Sequence, residues 1–292
     1  AVSAYESRDH ANVHRGVHAL SQRATDRFEG ARRTMQHFIG AASEKEIIFT
    51  KGCTESINLV ANAWGRTNLQ PGDRIVLTNM EHHANIVPWQ MVAQAQGAEI
   101  HVAPISDDGE LIMDELGAML DERVKLVGCV HVSNAIRTIN PVEKVAQMAH
   151  EVGAKVLIDG AQACPHGQVD VQAIDADFYT ISGHKMYGPT GIGCLYVKWN
   201  LLEDMPPYQT GGSMIRSVSF EETTFAEPPE RFEPGTPNIS GAIGLAAAAT
   251  FMDSVGRAAI AEYERSLTEY AIDRMREVPR LAIVGDAKER AS

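Results

Sequence analysis

Hydrophobic positions along this chain alternate between two rhythms. Short β-branched runs recur at Glu46–Thr50, Arg74–Thr78, Glu99–Ile105, Lys125–His131, Lys155–Asp159, Phe178–Ile181 and Ile192–Val197, and each reads as a strand. Between several of them, apolar residues at helical spacing mark helices near Glu55–Trp64, His83–Gln96, Leu111–Leu120 and Val142–Val152. A longer amphipathic segment, Leu20–Ile39, precedes the first strand and is closed by Gly40. This alternation predicts an α/β fold, a sheet with helices on both faces, whose functional residues gather at the carboxyl ends of the strands.

After Val197 the rhythm gives way to the Pro- and Gly-rich stretch Met205–Pro237, which reads as a long loop region. Two helices, Gly241–Val255 and Ala258–Met275, then lead into a smaller C-terminal domain. The run Leu281–Val284 is strand-like, yet no partner follows it. An unpaired edge strand is an unusual finish, and the first residue is Ala1, so the chain is expected to be cut at both ends.

Composition narrows the picture. With 292 residues, 44% of them hydrophobic, the chain can bury one large core and part of a second. A net charge of -12 excludes the basic footprint of a nucleic-acid or anionic-membrane binder. No apolar run approaches the roughly 18 residues of a membrane span, and no signal-peptide pattern opens the chain, so a cytoplasmic location is expected. The four cysteines are far apart and form no C-x-x-C pair, which argues against a zinc site or a disulfide framework. Cys129 and Cys194 lie in apolar strand patterns and are expected to be buried; Cys53 and Cys164 follow loop signals and are left open.

Candidate chemistry gathers around Thr180–Gly193, where Lys185 stands between Ser182-Gly-His184 and a run of glycines. A Schiff-base amine must lose its proton near neutral pH, which calls for a confined place with cationic or hydroxyl neighbours. Asp159 closes its strand and could ligate a metal, cap a helix or hold a protonated ring nitrogen; no second metal ligand lies at a convincing spacing. Thr50-Lys-Gly-Cys-Thr-Glu55 reads as strand, glycine turn and helix start, a small phosphate cradle in which Thr54 adds a hydroxyl or simply caps the helix. His82 follows a strand and suits either stacking on an aromatic ring with proton transfer or a plain polar loop. Asn134 is a strand-end amide suited to a phenolic oxygen. His14 and Arg15, in a polar loop, could point into a site, although surface positions suit them better. Together a phosphate site, a carboxylate for a ring nitrogen, a stacking imidazole, an amide and a lysine describe pyridoxal 5'-phosphate.

At these residues the chain resembles the SUF-type cysteine desulfurases of the class V aminotransferase group. The likeness is carried by Lys51-Gly-Cys-Thr-Glu, Met80-Glu-His-His-Ala-Asn-Ile-Val-Pro-Trp-Gln, His131-Val-Ser-Asn, Asp159-Gly-Ala-Gln, Ser182-Gly-His-Lys-Met-Tyr-Gly-Pro-Thr-Gly-Ile-Gly and Arg231-Phe-Glu-Pro-Gly-Thr-Pro-Asn. The resemblance implies a fold-type I pyridoxal-phosphate transferase. Its large domain, 21–255, would hold a mainly parallel seven-stranded sheet flanked by helices. Residues 1–20 would belong to the small domain and site entrance, and 256–292 would begin an incomplete small domain.

Carried over by motif, Lys185 matches the Schiff-base lysine, Asp159 the ring-nitrogen partner and His82 the stacking residue and proton shuttle. Asn134 and Gln162 match the groups near the phenolic oxygen. Thr54, Ser182 and His184 match phosphate ligands, with Cys53 in the same cradle where a threonine is usual. Thr236 matches a residue given to the neighbouring subunit's phosphate in a homodimer. The implied reaction converts L-cysteine to L-alanine and passes the sulfur, as a persulfide, to an acceptor protein for iron-sulfur cluster assembly. The family's persulfide cysteine and substrate-carboxylate arginine would lie beyond Ser292. Selenocysteine lyase or another class V enzyme is an alternative reading, as is a non-catalytic fragment that keeps a dimer or partner surface. Arg137 stands where the family usually has glycine; if that position needs positive φ, arginine costs about 1 kcal/mol or more, and its bulk could alter substrate fit.

Overall fold

The structure, a computed structural model, describes residues 1–14, 16 and 18–291. Arg15 therefore lies outside the described residues. One seven-stranded sheet organises the chain, with strands β1 (Ile47–Thr50), β2 (Arg74–Thr78), β3 (Glu99–Ala103), β4 (Val124–Val130), β5 (Lys155–Asp159), β6 (Phe178–Ser182) and β7 (Gly193–Val197) in the order β1-β7-β6-β5-β4-β2-β3. Strands β2 to β6 pair in parallel, while β7 runs antiparallel to both β6 and β1. The reversal follows from connection length: a short turn through Lys185 joins β6 to β7, whereas parallel neighbours need a helical crossover.

The helices that matter below are α1 (Val2–Arg8), α2 (Ala19–Phe38), α3 (Cys53–Val60), α4 (Val87–Gln96), α5 (Met113–Met119), α6 (Val142–Glu151), α7 (Ala163–His166), α8 (Ile239–Val255) and α9 (Arg257–Arg276). Two apolar clusters cover the two faces of the sheet, one including residues of α2, α6 and α8, the other residues of α3 and α4. No residue of α9 is buried. Among the described residues, no single helix is long and apolar enough to cross a membrane.

Where the elements depart from the sequence pattern, local chemistry explains it. The helix expected over His83–Gln96 is broken into a 3₁₀ turn, His83–Asn85, and α4, because Pro88 in the first turn of α4 has no N–H to continue the ladder. Strand β3 stops at Ala103 for the same reason, ahead of Pro104. Within Met205–Pro237, expected as loop, Ile215–Val218 (β8) and Thr223–Phe225 (β9) form an antiparallel hairpin. Leu281–Val284 is not a strand; it is irregular, and Leu281 and Val284 are exposed.

A buried ion pair ties this scaffold together. Arg32 of α2, only 2% exposed, donates from Nη1 and Nη2 to the two carboxylate oxygens of Glu233 at 2.7 and 2.9 Å. Its Nη1 also donates to the Ile47 carbonyl at 2.7 Å, and its Nε to Glu29 at 2.9 Å. The guanidinium lies over the Phe28 and Phe49 rings. Glu233 accepts from the Phe49 N–H at 2.7 Å, so one side chain anchors α2, β1 and the loop that runs on to Thr236. Burial alone would raise Glu29, but hydrogen bonds from His14 and Arg32 bring it down to about 2. His14 thus pairs with Glu29, at 3.2 Å, from a half-exposed loop position.

Removing Arg32 would take the charge partner from the buried Glu233 carboxylate and leave it the Phe49 N–H. Arg32→Met is expected to cost about 3–5 kcal/mol, read as a fall of about 10 °C in the thermal midpoint. A fall below about 2 °C would show that the pair does not anchor the fold.

Candidate active site

The sheet edge that carries the site is a row of strand ends held in register. Thr50 pairs with Gly193, Gly193 with Ser182, Thr180 with Asp159, and Asp159 with Val130. Side chains at these ends therefore share one edge. Gly193 makes the edge possible: a Cβ there would lie 2.7 Å from the Gly52 Cα and collide with the Ile181 carbonyl. With glycine at both points, the turn after β1 folds against β6, and the Cys53 N–H donates to Ser182 Oγ at 2.9 Å. Gly52, at φ 142°, adopts a backbone that favours glycine and starts α3 at Cys53, two residues earlier than the apolar pattern indicated.

Lys185 ends the 3₁₀ turn Gly183–Lys185 that follows β6. The turn is tied by the N–H groups of Met186 and Gly188, which both donate to the Gly183 carbonyl, at 3.0 and 2.9 Å. Lys185 itself is half-buried, the neighbouring His184 exposed. Asp159 is 3% exposed, and its Oδ1 accepts from the Ala161 N–H at 3.0 Å and from Thr180 Oγ1 at 3.4 Å. Both hydrogen bonds fall on Oδ1, which leaves Oδ2 as the oxygen available to a ligand. The Cys53 thiol is shifted by the same groups. Burial pushes it well above the ordinary thiol range and the Asp159 charge adds to that, while Ser182, Thr180 and the Lys185 charge pull the other way.

His82 caps the turn His83–Asn85: its Nδ1 accepts from the Ala84 N–H at 3.1 Å, so Nε2 carries the proton of the neutral ring. Beneath it lies a buried polar network that the sequence pattern did not reveal. Glu81 accepts from Thr78 Oγ1 at 2.5 Å and from the Val130 N–H and Asn85 Nδ2, each at 2.8 Å, and Asn85 Oδ1 accepts from Trp89 Nε1 at 2.9 Å. This network joins β2, β4 and α4 under the histidine. Gly128 on β4 makes room, since a Cβ there would lie 3.1 Å from Asn85 Nδ2. Tyr179 and His131 were also missed. Their side chains bond at 2.9 Å under the Asp159 strand, and a Cβ on Gly160 would collide with the tyrosine ring.

Of the expected site residues, the structure gathers Lys185, Asp159, Ser182 and Cys53, and it places exposed Thr54 and His82 on one cleft with His83, Val87 and Met91. Gln162 sits half-buried just after Ala161, at the start of α7, and Asn134 is exposed in the turn after β4. Thr236 lines a separate cleft with Lys51, Glu55 and Tyr208. Arg137 has φ 63°, the positive value at which glycine is favoured, and its guanidinium meets His166 at 3.4 Å. All four cysteines are buried, Cys53 and Cys164 included, and burial raises each thiol, Cys164 to about 12.

The aminotransferase class-V family model matches residues 1–292. The chain belongs to the class-V aminotransferases. Within that family it is 54% identical over 278 residues to a cysteine desulfurase of Dickeya dadantii (strain 3937), covering 95% of this chain and 68% of that one. A cysteine desulfurase of Enterobacter sp. (strain 638) is 52% identical, with coverage of 96% and 70%. Among solved structures, the cysteine desulfurase CsdA (S-sulfonic acid) from Escherichia coli superposes with a TM-score of 0.89 at 40% identity, covering 95% of this chain and 70% of that one. The apo cysteine desulfurase from Thermococcus onnurineus NA1 gives 0.91 at 40% identity, covering 94% and 68%. This class-V member therefore has the α/β fold-type I architecture of pyridoxal-phosphate enzymes.

The site fits that cofactor on its own evidence. An available Asp159 oxygen suits a ring N–H, the close approach at Gly52 and Gly193 opens the start of α3 to a phosphate, and Lys185 stands at the same edge.

Glu81 gives this edge a pH signature. Its three donors favour the carboxylate, but burial is the larger influence and raises it to about 8. An acid raised in the folded state stabilises most below its unfolded value of 4.5 and loses that contribution as pH climbs toward about 8. Thermal midpoints between those limits should fall with rising pH in the parent and be flatter in Glu81→Gln. Parallel curves would show that Glu81 does not titrate there.

Proposed function

We propose that this chain binds pyridoxal 5'-phosphate at the β1-β7-β6-β5 edge and uses it on L-cysteine as a cysteine desulfurase. The observation that carries the reading is the meeting of Lys185, Asp159, Ser182 and the start of α3 on one sheet edge, in a chain about half identical to cysteine desulfurases. When bound, the cofactor supplies an electron sink for negative charge at the substrate Cα.

Lys185 Nζ would hold the cofactor aldehyde and, displaced by the substrate amine, take the proton from Cα. Asp159 Oδ2 would accept from the protonated ring nitrogen and keep it charged. His82 would stack on the ring and move protons through Nε2. Asn134 and Gln162 would hold the phenolic oxygen. Thr54, Ser182 and His184 would bind the phosphate, with Cys53 contributing its place at the start of α3 while its thiol stays buried.

Thr236, on its separate cleft, suits a role on the phosphate of a second subunit, and the exposed Val87 and Met91 beside His82 and His83 suit a homodimer face. Sulfur transfer to an acceptor of iron-sulfur assembly needs an accessible thiolate. The four cysteines present are buried and held as thiols, so none of them suits that role. The same burial favours a second reading for residues 1–292 alone, a cofactor-binding scaffold that does not complete sulfur transfer.

Two measurements test this. Borohydride reduction after cofactor addition, followed by peptide mapping, should label Lys185 and give no label in Lys185→Ala; label on another lysine overturns the assignment. Mass spectrometry after L-cysteine addition should find no added sulfur on Cys53, Cys129, Cys164 or Cys194. A persulfide on any of the four would overturn the assignment of the sulfur step to a different thiol.

A further inference from the structure

The residues just past the ends of β4 and β5 are joined by a chain of side chains that no step above uses. Asn134 lies in the turn after β4 and Gln162 immediately precedes α7 after β5. Arg137 lies three residues past Asn134, in a turn closed by its own N–H to the Ser133 carbonyl at 3.1 Å and by the Ser133 N–H to the Thr138 carbonyl at 2.9 Å. His166 ends α7, about one helical turn past Gln162. Arg137 Nη1 meets His166 Nε2 at 3.4 Å, and His166 Nδ1 meets Glu264 Oε2 of α9 at 2.8 Å.

The polarity of this chain is consistent throughout. A carboxylate only accepts, so Nδ1 of His166 donates to Glu264. The neutral ring then offers Nε2 as an acceptor, and a guanidinium only donates. The His166 and Glu264 side chains are 19% and 22% exposed, sheltered enough that the contacts are less screened than those of an open surface pair. Arg137 makes its contact from φ 63°, a left-handed conformation that strains a side-chain-bearing residue. Glycine would meet that backbone without strain but could not reach His166.

We propose that Arg137, His166 and Glu264 form a clasp that sets the spacing between the turn carrying Asn134 and the turn carrying Gln162, and couples it to the placement of α9. Arg137 and His166 are positioning residues, and neither touches the reacting atoms. The assignment of Asn134 and Gln162 to the phenolic oxygen rests on the function proposed above. The clasp itself is independent of it.

The decisive variant is Arg137→Gly, which relieves backbone strain and removes the clasp together; Arg137→Lys and Glu264→Gln weaken it without changing φ preference. In the cofactor-free chain, amide hydrogen exchange over residues 133–139 and 162–166 should rise about tenfold in Arg137→Gly while the thermal midpoint holds or increases. With pyridoxal 5'-phosphate bound, the pH midpoint of the cofactor's visible absorption should move by about half a unit, and Arg137→Lys should fall between parent and glycine variant. Exchange and midpoint both unchanged in Arg137→Gly, or exchange that rises only in step with a falling thermal midpoint, would overturn the clasp. Failure of the parent to bind the cofactor refutes the proposed function instead, and the exchange measurement still decides the clasp.

Discussion

Everything the site can do depends on hydrogen-bond register along one edge of one sheet. Because β1 and β6 end level where β7 begins in the opposite sense, and β5 and β4 end within about two residues of that line, the separate stretches carrying Thr50, Asp159 and Ser182 meet along one edge. Register in a buried sheet is strongly fixed, since a slip of one residue would turn every side chain to the wrong face. The edge is thus as rigid as the core behind it. Its reactive groups sit on short turns anchored at both ends rather than on long loops.

The scaffold surrounds this edge with buried, hydrogen-bonded ionisable groups, one charged pair and one acid that burial raises to about 8. Arg32 and Glu233 neutralise one another while linking α2, β1 and the segment toward Thr236. Glu81 draws three donors from three elements beneath His82. Such groups add little net stability compared with well-packed apolar residues, but they discriminate sharply between correct and incorrect packing, because a shifted partner leaves a charge stranded. Glu81 is next to His82 and Glu233 lies three residues before Thr236, so a shift in either network would displace a residue assigned to the ligand.

Much of this was legible in the chain. The β-branched runs located all seven strands of the main sheet to within about two residues, and several of the strand-end polar residues singled out lie together at one edge of that sheet. The exceptions have physical causes. The hairpin β8–β9 pairs only with itself and leaves Val218 exposed, so it carries no core-facing alternation to detect. Leu281–Val284 has the composition of a strand but is irregular, with Leu281 and Val284 facing solvent. Glu81, Tyr179 and His131 are ordinary letters in sequence, and their bonds join residues about 50 apart, between segments that only the folded sheet brings together. Arg137 could be flagged as a non-glycine at a glycine-like position, yet its contact with His166 depends on how two adjacent strands end.

The burial of all four cysteines has a practical side. With each thiol sealed from solvent and held protonated, the folded chain offers thiol-directed reagents no competing target at neutral pH. A single cysteine placed on the exposed face of α9 could then carry a fluorophore or spin label without any prior removal of native residues. Residues 1–292 are, in effect, already prepared for distance measurements between that helix and the sheet edge.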